Sequence, residues 1–248
     1  MDRPSFDIEL DLINRGHKLI AGLDEVGRGP WAGPIVASAV IFPIPPLPCI
    51  PKLNDSKKLT SKLREELSIK IKETAFSIGI GVVEVDIIDK IGIGKANKLA
   101  FLSALLNLKQ PPSFVLLDYF TITKNDFTLL NLLIPKDNSR RSALEKLLAT
   151  SQRGIKFGDT ISASIAAASI IAKTYRDDFM AKMHTKHPQY NFKSNKGYPS
   201  REHIKALEDF GPCELHRKSF APIQHLLGSV PKGDSTNRLV ELSTYQKV

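Results

Sequence analysis

Three short apolar runs, each leading into acidic residues, constrain this chain more than any other feature. His17 to Leu23 runs into Asp24-Glu25, Phe114 to Leu117 into Asp118, and Ile155 to Phe157 into Gly158-Asp159. Short apolar runs bounded by turn-forming residues read as strands. Their ends can therefore gather carboxylates at one place. An acid after a single strand is ordinarily a solvated end group. Gathered acids repel one another unless a cation neutralises them, and their hard oxygens suit Mg²⁺ or Mn²⁺ rather than zinc.

The segments between these runs point to an α/β domain. The first run reads as a strand delivering Asp24-Glu25 into a loop broken by Gly27, Gly29 and Pro30, and Val- and Ile-rich residues 34–42 read as the return strand of a hairpin. Residues 43–51 carry five prolines and must be irregular. Leu63, Leu67 and Ile71 fall at helical spacing behind Thr60, which predicts a helix over residues 60–72. A strand is expected over 76–85, and one helix over 86–108, ended by Pro111-Pro112. Residues 119–152 hold an apolar stretch at 129–134 and a helix at 139–149, and the Ala-rich residues 162–182 favour a further helix. Strands alternating with helices after an initial hairpin predict a mixed central sheet flanked by helices.

Charge and composition narrow the partners. Lys and Arg outnumber Asp and Glu by 35 to 26, for a formal charge of +9, which favours polyanions through counterion release. Cys49 and Cys213 lie far apart without metal-ligand spacing, so no disulfide framework or zinc site is indicated, and a reducing cytoplasm is expected. No stretch has the composition of a membrane span or signal peptide. Residues 1–183 are expected to form the catalytic domain, 184–230 a small C-terminal helical substrate-binding region, and 231–248 a flexible tail.

Several residues suit contact with a polyanion. Gly27-Arg28-Gly29 would let backbone N–H groups approach a phosphate or sugar, or would simply turn the hairpin. Tyr198, between Gly197 and Pro199, offers a stacking face, although a lone tyrosine is more often core. Lys57, Lys58, Lys173, Arg176, Arg217 and Lys218 are phosphate-contact candidates or plain surface cations. His184, His187 and His203 lack ligand spacing with the acids and read as structural or surface, and Asp177 as a helix salt-bridge partner.

The stretch Gly22-Leu23-Asp24-Glu25-Val26-Gly27-Arg28-Gly29-Pro30 resembles the signature of the type 2 ribonuclease H family. Asn54-Asp55-Ser56-Lys57-Lys58-Leu59, the run from Ser164 to Lys173 continuing into Arg176-Asp177, Lys196-Gly197-Tyr198-Pro199, and His216-Arg217-Lys218-Ser219-Phe220 follow in family order. The similarity spans residues 17–228 and is nearest to bacterial ribonuclease HII.

The resemblance implies a ribonuclease H-like fold and a monomeric endoribonuclease. Implied substrates are the RNA strand of RNA–DNA hybrids and single ribonucleotides embedded in duplex DNA, cut on the 5′ side to leave 3′-hydroxyl and 5′-phosphate ends. Asp24, Glu25, Asp118 and Asp159 match the family's four acids, implied to hold two Mg²⁺ or Mn²⁺ ions. Gly27, Arg28 and Gly29 are implied to touch the 2′-hydroxyl, and Tyr198 the following deoxyribose. Two departures stand out. Tyr119 occupies the place after the third acid where the family has glycine, and the interval from Asp118 to Asp159 is long, with Asp126 and Asp137 inside it as competing third acids. Only Asp118 ends an apolar run. The rival readings are a ribonuclease HIII-like activity on ribonucleotide tracts, for whose extra N-terminal domain the acidic pair at residue 24 is expected to leave no room, an inactive nucleic-acid-binding relative, and a phosphatase of small molecules.

Overall fold

The computed structural model describes residues 3–43, 47–134 and 139–228. In chain order these form α1 (Asp7–Asn14), β1 (Ile20–Val26), β2 (Ile35–Ile41), α2 (Ser61–Thr74), β3 (Ser77–Val83), α3 (Val85–Ile91), α4 (Ile93–Leu106) and β4 (Phe114–Asp118). They continue with α5 (Ser139–Thr150), β5 (Gln152–Ile155), α6 (Ala163–Lys186), α7 (Phe192–Asn195), α8 (Arg201–Phe210) and α9 (Ala221–Gly228). Two compact units result. One comprises Met1–Val26, Ile35–Val83 and Gly94–Tyr175, the other Gly27–Pro34, Glu84–Ile93 and Arg176–Val248.

The first unit holds a five-stranded mixed sheet in the order β3-β2-β1-β4-β5. β1 pairs antiparallel with β2, and β2 with β3, while β4 and β5 lie parallel to β1. The expected hairpin is present, but the acids are not in its loop. β1 runs on through them, pairing Asp24 with Ser38 and Glu25 with Ala37. The ladder fixes their backbone positions more tightly than a loop would, because each strand residue is held by its cross-strand neighbour.

Glycines let two helices rest directly on the sheet. A Cβ on Gly79 or Gly81 of β3 would lie about 2 Å from the Ala104 or Ala100 carbonyl oxygen of α4. A Cβ on Gly22 of β1 would lie 2.2 Å from the Ser164 carbonyl carbon in α6. The start of α6 is held from α1. The buried Glu9 carboxylate accepts from Ser162 Oγ at 2.6 Å and Ser164 N–H at 2.9 Å, placing negative charge where the helix dipole is positive.

The single helix expected over 86–108 is two, α3 and α4, because Gly92 takes φ +80° and ends the first. The strand expected at 155–157 is β5, ending at Ile155, since Phe157 is left-handed at φ +57°. Thr60 caps α2 as its position suggested, its Oγ1 accepting from Leu63 N–H at 3.3 Å. The expected tail at 231–248 lies outside the described residues.

The second unit packs Trp31, Met180, Tyr190, Phe192, Ile204, Leu207 and Ile223 into a core of its own. The loop Gly27–Pro34 belongs to it, held by Trp31 and Ala32 N–H groups that donate to the Gly197 carbonyl.

Candidate active site

Asp24 is placed by the β period. It shares a face with Gly22, two residues back, and that face meets α6. Ser169 of α6 hydrogen-bonds the Asp24 side chain and also lies 2.8 Å, oxygen to oxygen, from Ser56. Ser56 opens a short turn, Ser56–Lys58, capped by Asp55, whose Oδ1 accepts from Lys57 N–H at 2.9 Å. One buried serine pair thus ties the Asp55-Lys57 segment to the helix that holds Asp24. Glu25 N–H in turn donates to Asp24 Oδ1 at 2.7 Å.

Asp118 is the last residue of β4, paired with Ile155 of β5. Its Oδ1 accepts from Gly158 N–H at 2.7 Å, which draws the turn Gly158–Thr160 against it. Asp159 sits in that turn and is 6% exposed. Asp55, Lys57, Lys58, Asp118, Lys156 and Asp159 line an open cleft of about 500 Å³, with Tyr119 and Phe157 also on its wall.

The charges here are unbalanced. Burial, then Glu25 and Asp118, push the Asp24 carboxyl well above its ordinary value against the Ser169 hydrogen bond. Burial, Asp55 and Asp118 push Asp159 up to about 6 despite Lys57. Burial raises Asp118 against the opposing Gly158 hydrogen bond. Burial alone would lower the Lys57 ammonium, yet Asp24, Asp55, Asp159 and Asp118 hold it above its usual value. Burial comes first in each raised acid, and the neighbouring carboxylates add to it, so several acids share one site with Lys57 among them.

An all-carboxylate donor set fits Mg²⁺ or Mn²⁺. Among the described residues, His187, Cys213 and Glu214 form another group of possible ligands, with donor atoms within 4.8 Å of one another. That second group is a poor competitor. His187 Nε2 already lies 2.9 Å from Glu214 Oε1, and burial pushes the Cys213 thiol up to about 11, where the metal-binding thiolate is scarce.

Of the rival third acids, Asp126 is otherwise engaged. It binds Lys98 Nζ at 2.8 and 2.9 Å and Thr123 N–H and O–H at 2.8 and 2.7 Å, capping a short helix. Burial would raise its carboxyl, but these partners outweigh burial and hold it low. Asp137 lies outside the described residues. Tyr119 has φ +62°, a conformation that glycine adopts freely and other residues rarely, which accounts for glycine being the usual neighbour of such an acid.

Arg176 and Arg217 correct the expectation of phosphate contact. Both are fully buried in the second unit. Arg176 donates to the carbonyls of Pro34, Ala32 and Lys196 at 2.9 Å, and Arg217 to those of Gly33, Arg28 and Gly27. A side chain with no exposed surface and its donors spent on carbonyls shapes the Gly27–Pro34 loop rather than touching a ligand. Tyr198, by contrast, is 44% exposed, with its ring edge 3.8 Å from where a Gly29 Cβ would stand. Gly29 itself is exposed, as are Arg28, Lys57, Lys58 and Lys218, and Lys173 is half-buried.

Comparison with known proteins identifies the family of the chain. The Ribonuclease HII family model matches residues 21–223. The chain belongs to the ribonuclease HII family. It is therefore a ribonuclease H, a nuclease acting on nucleic acid. It is 44% identical to ribonuclease HII of Bacillus subtilis over 212 residues, covering 85% of this chain and 72% of that one. The fold is shared with the ribonuclease H2 of Pyrococcus horikoshii OT3, with TM-score 0.64 and 22% identity over 93% of this chain and all of that one. It is shared also with Bst-RNase HIII solved in complex with Mn²⁺, with TM-score 0.59 and 19% identity over 85% and 69%. No helix among the described residues is long and apolar enough to cross a membrane.

Sequence reasoning passed over Asp55, Ser169, Lys156 and Phe157. The first two lie in the quoted motifs, and an Asp two residues before a lysine in a polar segment is a recognisable turn cap. Nothing in the sequence marks Lys156 and Phe157 beyond their proximity to Asp159.

Proposed function

We propose that this ribonuclease H hydrolyses the phosphodiester on the 5′ side of a ribonucleotide within duplex nucleic acid. In that step a water oxygen bonds to phosphorus and the bond to the 3′ oxygen breaks. The departing 3′ oxygen takes up a proton, leaving 3′-hydroxyl and 5′-phosphate ends. The observation that carries the reading is that Asp24, Asp118 and Asp159 are all raised, first by burial and then by neighbouring acids, with Asp118 and Asp159 on the wall of one open cleft. Carboxylates so disposed await cations.

Asp24, Glu25, Asp118 and Asp159 would hold two Mg²⁺ or Mn²⁺ ions, and the manganese bound by the Bst-RNase HIII structure supports that choice. Bound there, such ions supply Lewis acidity to the water and the leaving oxygen. The chain's own residues do the rest. Lys57 sits among the acids as a positive partner for a phosphate oxygen, and Lys58 and Lys156 extend that charge along the cleft. Gly27, Arg28 and Gly29 would read the 2′-hydroxyl through the backbone, and Tyr198 would pack on the next deoxyribose, where a 2′-hydroxyl does not fit. Residues 184–230 would serve as the substrate-binding region. The protein would work as a monomer, and the free thiols of Cys49 and Cys213 suit a reducing cytoplasm.

The test is direct. Duplex DNA with one ribonucleotide, incubated with the protein and Mn²⁺ or Mg²⁺, should be cut once, at the 5′ side of that residue. Cutting elsewhere, or none, overturns the proposal.

A further inference from the structure

Two buried histidines remain unused by the reaction. His203, in the first turn of α8, and His216, before Arg217, both have no exposed surface. Their Nε2 atoms lie 2.9 Å apart. At one end the Cys213 backbone N–H points at His216 Nδ1 from 2.9 Å, with the Cys213 carbonyl oxygen and Sγ each 3.3 Å from the same nitrogen. At the other, His203 Nδ1 lies 2.8 Å from the Tyr198 carbonyl oxygen.

The backbone fixes where the protons are. An amide N–H can only donate and a carbonyl can only accept. The shorter amide contact, against 3.3 Å to the Cys213 carbonyl, assigns a bare His216 Nδ1 and a protonated Nε2, which donates to a bare His203 Nε2, whose proton sits on Nδ1 and donates to Tyr198. Both ends give the same answer, and the chain closes with one proton per ring. Extra protonation would set two N–H groups against each other. Burial lowers His203, and burial and then His203 lower His216 to about 3, so both rings stay neutral at ordinary pH. Tyr190 and Phe192 wall the pair, with ring centroids 4.8 Å from His216 and 5.4 Å from His203 respectively.

We infer that His203 and His216 are positioning residues that set the ring of Tyr198 over Gly29 and so govern recognition of the ribonucleotide's 3′ neighbour. The Tyr198 carbonyl also accepts from Ser200 N–H at 2.8 Å, and the Tyr198 N–H donates to Asn195 at 2.9 Å. Gly197, next in chain, accepts from Trp31 and Ala32, and Arg176 ties the Lys196 carbonyl to those of Ala32 and Pro34. The tyrosine and the Gly27–Pro34 loop are therefore held as one body, and the histidine pair is its anchor on the tyrosine side. An exposed side chain serves as a geometric reader only if its backbone is fixed from behind.

The inference rests on the functional reading above, and the experiment separates the two. Two-bond ¹H–¹⁵N correlation on the wild-type protein should show His216 protonated at Nε2 and His203 at Nδ1; a His203 proton on Nε2 overturns the relay. This measurement stands even if variants fail to fold. His203→Phe should then weaken kcat/KM on a single-ribonucleotide duplex about tenfold through KM, with kcat changed less than about twofold, as loss of an oriented contact does. His203→Gln, whose amide can still donate to the Tyr198 carbonyl, should recover most of it. Combined with Tyr198→Ala, His203→Phe should add less than about twofold, because the two act as a unit. Additive losses, or a loss confined to kcat, overturn the inference. Wild-type protein that leaves the isolated ribonucleotide uncut overturns the functional reading instead.

Discussion

The two compact units bury polar groups on opposite principles. Around Asp24 the first unit buries carboxylates that are raised first by burial and then by neighbouring acids, so the folded chain carries an unresolved electrostatic cost. The second unit buries Arg176, Arg217, His203 and His216, and the hydrogen bonds they make run to backbone carbonyls, a backbone amide and each other. Chemistry that draws in cations needs uncompensated charge, whereas a surface that reads shape needs satisfied, fixed groups. On the proposed function, the difference would separate the part of the molecule that reacts from the part that recognises.

The sharpest break of this comparison is Asp24→Asn. Activity should fall at least about a thousandfold, as it does when a group used in the reacting state is lost. Stability should rise in the same variant, because a buried charge and its repulsions are gone. Its melting temperature, measured without divalent ions, should exceed wild type by a few degrees. A variant that is inactive but less stable would show that Asp24 is held by favourable contacts and that the acid site is not frustrated.

Acid titration distinguishes the units by sign. Asp159 is raised in the fold to about 6 from an ordinary 3.8, so the folded state binds its proton first. Stability from this group is full below pH 3.8 and is lost as pH rises through 6. His216 is depressed to about 3 from 6.5, so the unfolded state binds its proton first. Stability from this group is full above pH 6.5 and is lost as pH falls toward 3. Lowering pH from 6.5 to 4.5 should therefore strengthen amide protection in β4 and around Asp159 and weaken it in α8. Each change should be on the order of 1 kcal/mol after allowance for solvent screening. Hydrogen exchange at the two pH values, corrected for intrinsic rates and without divalent ions, reads both. Parallel changes in the two units would refute the contrast.

Most of the first unit could be read from sequence because its signals are local. Apolar or β-branched runs marked β1 to β4, while β5, with the largely polar residues Gln152–Ile155, was expected at 155–157, and Thr60 and Ala-rich residues marked helices where they are found. Asp24 and Glu25 were visible, though not as strand residues, since periodicity does not show where a ladder stops. The second unit was hidden for the opposite reason. Its core and its bonds join residues as distant as Gly27 and Arg217, and no local pattern records that a guanidinium will turn inward to a carbonyl. Buried arginine and histidine look like surface residues until the partner segment is in place.

The smallest effect concerns the neighbour of Asp118. Tyr119 is 65% exposed and left-handed, so its ring gains little from packing while its backbone pays about 1 kcal/mol for φ +62°. Phe157, two residues before Asp159, is likewise left-handed and equally exposed on the wall of the same cleft. Tyr119→Gly removes the strain and loosens the unfolded chain, and the first effect should exceed the second by a few tenths of a kcal/mol. Chemical denaturation should show a slightly stabilised protein, while Tyr119→Ala, which keeps a Cβ and hence the strain, should not be stabilised. Equal stabilities for the Gly and Ala variants would mean that the backbone at the third acid is not strained, and that the frustration of the first unit is confined to its charges.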